Sequence, residues 1–138
     1  MAATVQFEDD NGRVVRYVRH ANGGGLVSPL ARVHEGAMVA STAYVEAGAQ
    51  VGDRSRIGAG GWLDLDVIVG KDVVVAGNVH LGPRTRAEDG TWIGTGARVG
   101  SDVVIERGAR VAPDAVVRDA AVVRRRAGSG RSEFEIAA

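Results

Sequence analysis

Cysteine is absent from the 138 residues, which excludes disulfides, thiolate metal ligands and a cysteine nucleophile. Aromatic residues make up only 4% of the chain, so rings cannot fill a conventional bulky core. An excess of either charge is also lacking. Seventeen Lys and Arg balance 17 Asp and Glu, which argues against a broad basic field for nucleic acid and against an acidic, solvated chain. No apolar run approaches the roughly 20 residues needed to span a bilayer, so no membrane insertion is expected. The N-terminus lacks the basic-then-apolar pattern of a secretion signal, which implies synthesis in the cytoplasm. What the chain does have is 45% hydrophobic residues and 20 glycines. That composition suits a thin, repetitive core.

The repeat is explicit. From Val27 an aliphatic residue recurs every sixth position through Val33, Val39, Val45, Val51, Ile57, Leu63 and onward to Val117, with Ala87 the one departure among 16 places. Position five of each hexad is small or β-branched, as at Ala43, Ser55, Val73, Thr85 and Ala97. Position four favours Gly, Asp or Asn, for example Gly36, Gly60, Asp72, Asn78 and Gly108, the residue types that tolerate positive φ. Side chains alternate along a strand, so positions five and one face inward and position six faces outward. Each hexad is then one short strand and one turn. It cannot bury its apolar face alone, and stacked coils bury it together. A helix is excluded because a six-residue period does not track 3.6 residues per turn.

Segments such as Val51-Gly52-Asp53-Arg54-Ser55-Arg56 and Ile93-Gly94-Thr95-Gly96-Ala97-Arg98 resemble the hexapeptide-repeat, left-handed parallel β-helix family. The resemblance implies an all-β fold: a left-handed parallel β-helix of about five triangular coils, three hexads per coil, often assembled as a homotrimer. Residues 27–123 form the helix. Residues 1–26 are expected to form a β-hairpin cap around Asp9-Asp10-Asn11-Gly12, followed by a flexible glycine linker at Asn22-Gly23-Gly24-Gly25. Residues 124–138 read as a flexible tail and possible docking segment. In it Arg124, Arg125, Arg126, Phe134 and Ile136 are the candidate contacts for a protein partner, with Ile136 and Phe134 alternating as in an added strand.

Three hexads per coil stack residues that are 18 apart. One outward column is Tyr44, Trp62, His80, Arg98 and Val116, whose exposed rings mark it as the expected trimer interface. The resemblance also brings enzymatic expectations. Acyltransferases of the family use acyl-CoA or acyl-carrier protein and a histidine near a subunit interface, which singles out His80. Trimeric γ-class carbonic anhydrases need three zinc-binding histidines, and one suitable His per chain does not supply them, so no metal is expected. Asp64 and Asp66 occupy corner positions two and four and read as turn formers rather than a catalytic pair. An uninterrupted repeat, a cap and a tail favour a non-catalytic structural module without a cofactor, serving as spacer, cap or decoration of a phage virion or surface assembly. The alternative is an acyl-CoA-dependent transferase with its site between subunits around His80, Trp62 and Arg98.

Overall fold

The computed structural model describes residues 4–126 and 136–137, and every regular element among them is a β-strand. Seventeen two-residue strands, from Leu26–Val27 to Val122–Val123, follow at six-residue intervals. Each of the first fourteen pairs in parallel with the strand eighteen residues on, as in Tyr44↔Trp62, Trp62↔His80 and His80↔Arg98. Three sheets result, and the chain visits them in turn. The architecture is a parallel β-solenoid of about five turns, consistent with a left-handed β-helix.

The hexad explains the burial. Position-one residues Ile57, Leu63, Leu81, Ile93 and Ile105 are fully buried along the axis. Position five supplies the smaller filling, with Ala43, Ala49, Val67, Val73 and Ala97 all at 0% exposure. Two hydroxyls at position five bridge coils. Ser55 Oγ donates to the Gly70 carbonyl at 2.6 Å and accepts from the Val73 N–H, and Thr85 Oγ1 donates to the Gly100 carbonyl at 2.8 Å. Thr91 is different: its buried Oγ1 has no partner. An orphaned hydroxyl keeps its desolvation cost with nothing to offset it. Thr91→Val, nearly equal in shape, is therefore expected to raise stability by about 1 kcal/mol in urea unfolding. A loss of stability would show that the hydroxyl has a partner after all.

The corners follow their composition closely, but not everywhere. Thirteen consecutive position-four residues, from Gly48 to Ala120, adopt positive φ. The first three corners, at Leu30, Gly36 and Thr42, do not, so Gly36 is not there for left-handed backbone. Arg54 and Arg84 tolerate the conformation while making bidentate bonds to Asp72 and Asp102, one coil on. Those guanidinium bonds hold both carboxyls below the usual carboxylate range.

Strands β1 (Thr4–Glu8) and β2 (Val14–Arg19) form an antiparallel hairpin, and its turn is tied by Asp9 Oδ1, which accepts from the Asn11 and Arg13 N–H groups. Strand β2 pairs antiparallel with β3 (Leu26–Val27), so the hairpin continues one sheet of the prism beyond its first coil. The glycine segment expected to be a flexible joint is instead packed. Val39 N–H donates to Asn22 O, Gly25 N–H donates to Val39 O, and a Cβ on Gly23 would collide with the Val39 carbonyl. Glycine is required there by close approach, not looseness. At the other end, the Ile136–Ala137 strand pairs antiparallel with Val122–Val123 of the same chain. The expected docking strand thus covers this chain's own sheet edge, which removes an open edge from solvent. Phe134 lies outside the described residues.

Candidate active site

The outward column forms in register, because eighteen-residue spacing is one full turn. Trp62 and His80 are neighbours across one strand pair, and their rings stack with centroids 4.1 Å apart and planes 20° apart. His80 has a second restraint. Its Nε2 lies 3.0 Å from Asp64 Oδ2, with side chains 31% and 16% exposed respectively. With Nε2–H donating to the carboxylate, Nδ1 keeps its lone pair and is the basic nitrogen of the ring. Asp64 is therefore more than the turn former the sequence suggests. It is the orienting partner of the histidine, an arrangement in which one side chain accepts a proton and a carboxylate fixes its tautomer.

A second carboxylate repeats the pattern one coil earlier. Glu46 accepts from Trp62 Nε1–H at 2.8 Å through Oε2 and from the Tyr17 hydroxyl at 2.7 Å through Oε1. Both pairings join position two of one coil to position six of the next, sixteen residues on. Tyr17 arrives from the hairpin and is 7% exposed, edge-on to Tyr44 at 5.4 Å and to Phe7 at 5.8 Å. Burial, reinforced by the Glu46 carboxylate, pushes its phenol well above the ordinary tyrosine range, so it remains a neutral donor.

In the column that carries Glu46 and Asp64, the next two position-two residues are Gly82 and Gly100. Beside these glycines lies a shallow, open cleft of about 670 Å³ with His80 at its head and Arg84, Arg98, Arg118 and Val116 around it. A Cβ on Gly82 would fall on the Gly100 carbonyl, so the coils themselves demand the glycine. On the opposite side of the Trp62–His80 stack, Tyr17, Tyr44, Glu46, Gly60 and Trp62 line a smaller hollow of about 360 Å³.

The interface candidates divide. Trp62 and Val116 are exposed, at 43% and 73%, and Arg98 is exposed as well. Tyr44 is half-buried under the hairpin of its own chain, so it is already partnered. Arg124 and Arg125 are exposed on the last coil and distant in sequence from the cluster. Among the described residues, no group of three or more His, Asp or Glu side chains converges as a metal site would. Tyr17 and Glu46 were not anticipated from the sequence. The sixteen-residue offset shared by Glu46/Trp62 and Asp64/His80 is the signal that would have found the carboxylates.

No protein-family model matches the sequence, and no curated protein matches it. Solved structures do. PerB from Caulobacter crescentus, in complex with CoA and GDP-perosamine, is 25% identical with a TM-score of 0.71, covering 72% of this chain and 48% of its own. The acetyltransferase domain of PglB from Neisseria gonorrhoeae FA1090 is 24% identical with a TM-score of 0.70, covering 76% of this chain and 51% of that one. The same domain in complex with acetyl coenzyme A matches at 22% identity and a TM-score of 0.64. The chain spans about half the length of these neighbours. They overturn the expectation of a non-catalytic spacer, cap or decoration module. PerB, at 25% identity, was solved holding CoA, and the expectation of no cofactor loses its basis with it. The sequence argument failed because the repeat stacks the outward side chains but does not show which corner carboxylates reach them.

Proposed function

We propose that this chain, a hexapeptide-repeat left-handed β-helix, is an acyltransferase that takes an acyl group from acyl-CoA, with His80 as general base. The observation that carries the reading is the His80–Asp64 bond at the head of an arginine-lined, glycine-floored cleft. Likeness to PerB, solved holding CoA, supports it. Arg98 and Arg118 suit the phosphates of CoA, since guanidinium groups pair with phosphate through planar forks, whereas the fork of Arg84 is already taken by Asp102. The Gly82 and Gly100 floor leaves room for the narrow pantetheine arm to reach His80.

The chemistry is nucleophilic substitution at the thioester carbonyl. An acceptor amine or hydroxyl forms a bond to the acyl carbon, and its proton passes to His80 Nδ1. The carbon–sulfur bond breaks, and the thiolate leaves as CoA thiol after protonation from the imidazolium. Asp64 holds the ring in one tautomer and faces the imidazolium that forms. An acceptor amine is favoured by likeness to PerB, which was solved with GDP-perosamine. A homotrimer fits the same geometry. Exposed Trp62 and Val116 flank the cleft, and an adjoining copy packed there would close its open side and bury apolar surface.

The test is titration calorimetry of the full chain with CoA, paired with CoA-thiol release from acetyl-CoA in the presence of amino-sugar acceptors. Saturable binding is expected, lost when Arg98 and Arg118 are replaced together by Ala. No binding up to about 1 mM, the top of the usual KM range, refutes the reading.

A further inference from the structure

The N-terminal hairpin lies outside the repeat, yet it reaches the stack on which His80 rests. An indole that is 43% exposed on a sheet face has several rotamers open to it. The single polar handle of Trp62 is Nε1–H, and Glu46 Oε2 takes it at 2.8 Å. Glu46 could rotate if its other oxygen were free. Tyr17 occupies that oxygen at 2.7 Å, and Tyr17 is itself wedged among Phe7 and Tyr44 on a strand paired to β3. The imidazole then has two different restraints: Asp64 fixes one ring atom, and Trp62 fixes the ring plane. A hydrogen bond alone leaves a ring free to swivel about it, so the stack supplies the missing constraint.

We propose that the hairpin is a working part of the site: Tyr17, acting through Glu46, locks Trp62 and so sets the plane of His80. Tyr17 and Glu46 are positioning residues, and neither needs to touch a substrate. The kinetic consequence rests on the reading of His80 as general base; the geometric one stands without it.

Both are measured on the full chain. In a histidine-labelled protein, the indole ring current moves the His80 ring protons upfield of those of His20 and His34, and Trp62→Leu identifies the displaced signals. Glu46→Ala is expected to remove half or more of that displacement. Tyr17→Phe keeps the packed ring, frees one oxygen of Glu46, and is expected to broaden or reduce it. Glu46→Gln restores it, because the amide oxygen accepts from Trp62 and the amide N–H₂ donates to the Tyr17 hydroxyl oxygen. In acetyl transfer, Glu46→Ala is expected to lower kcat by about tenfold or more, since loss of a near-attack geometry is costly. KM for acetyl-CoA stays within about twofold, as Glu46 is remote from the cleft walls. An unchanged His80 displacement in Glu46→Ala overturns the proposal, whatever the activity. A wild-type protein without transferase activity that shows the displacement lost in Glu46→Ala refutes the acyltransferase reading and leaves the positioning role standing.

Discussion

Replacing His80 by Gln is expected to lower acyl transfer by about 10²- to 10⁴-fold, the usual worth of a positioned general base, with the melting temperature unchanged within error. Gln is the informative choice. Its amide N–H₂ donates to Asp64 Oδ2 as the imidazole Nε2 does, so the carboxylate, only 16% exposed, does not lose its partner. What Gln lacks is a nitrogen lone pair able to take the acceptor's proton. The fall should appear in kcat, while KM for acetyl-CoA is little changed, because the phosphate-binding arginines are untouched. A variant retaining more than a tenth of wild-type kcat would exclude His80 as the base. Asp64→Asn gives a companion result. The amide can orient the ring but does not offset an imidazolium, and its N–H₂ favours the wrong tautomer, so activity is expected to fall by a smaller factor.

The next residue along should behave in the opposite way. Leu81→Ala is expected to cost about 2–5 kcal/mol of stability, the range for emptying a buried leucine site. Leu81 has no exposure and sits between Leu63 and Val99 in successive coils. A β-solenoid interior is thin, and hydrogen bonds to the coils on both sides hold each backbone segment in place, as with Trp62 N–H to Val79 O and Gly82 N–H to Val99 O. The coil therefore has little freedom to collapse onto the void, which places the cost toward the upper part of the range. The comparison with wild type must be made at one protein concentration, since assembly makes the melting temperature concentration-dependent. A loss under about 1 kcal/mol would mean that the coil closes around the missing atoms. Adjacent residues thus give separable phenotypes, because successive side chains of a strand point to opposite faces.

How much of this was legible beforehand follows from which features are periodic. Val51, Ile57 and Val69 are buried as the six-residue spacing requires, and Asp66, Asp72 and Asn78 take the left-handed corner conformation their types allow. These are one-residue properties repeated at a fixed interval, so composition at each place carries the information. The stacking of Trp62 on His80 follows from the eighteen-residue turn. The carboxylate clamps were readable only with a further step. Glu46 and Asp64 lie in corners, and a corner acid usually serves its own turn. Their reach to rings sixteen residues on depends on side-chain direction at the corner, which spacing does not encode.

The order of inward and outward residues, the position of the turns and the vertical neighbours of each side chain were determined by the sequence alone, since each follows from one alternating strand repeated at constant length. The tertiary structure alone decided that Asp64 grips His80, that the glycine segment at residues 22–25 packs against the first coil, and that Tyr17 enters the site from outside the repeat. The first depends on side-chain direction at a corner, the other two join segments with no common period, and only the folded path of the backbone brings them within hydrogen-bonding distance.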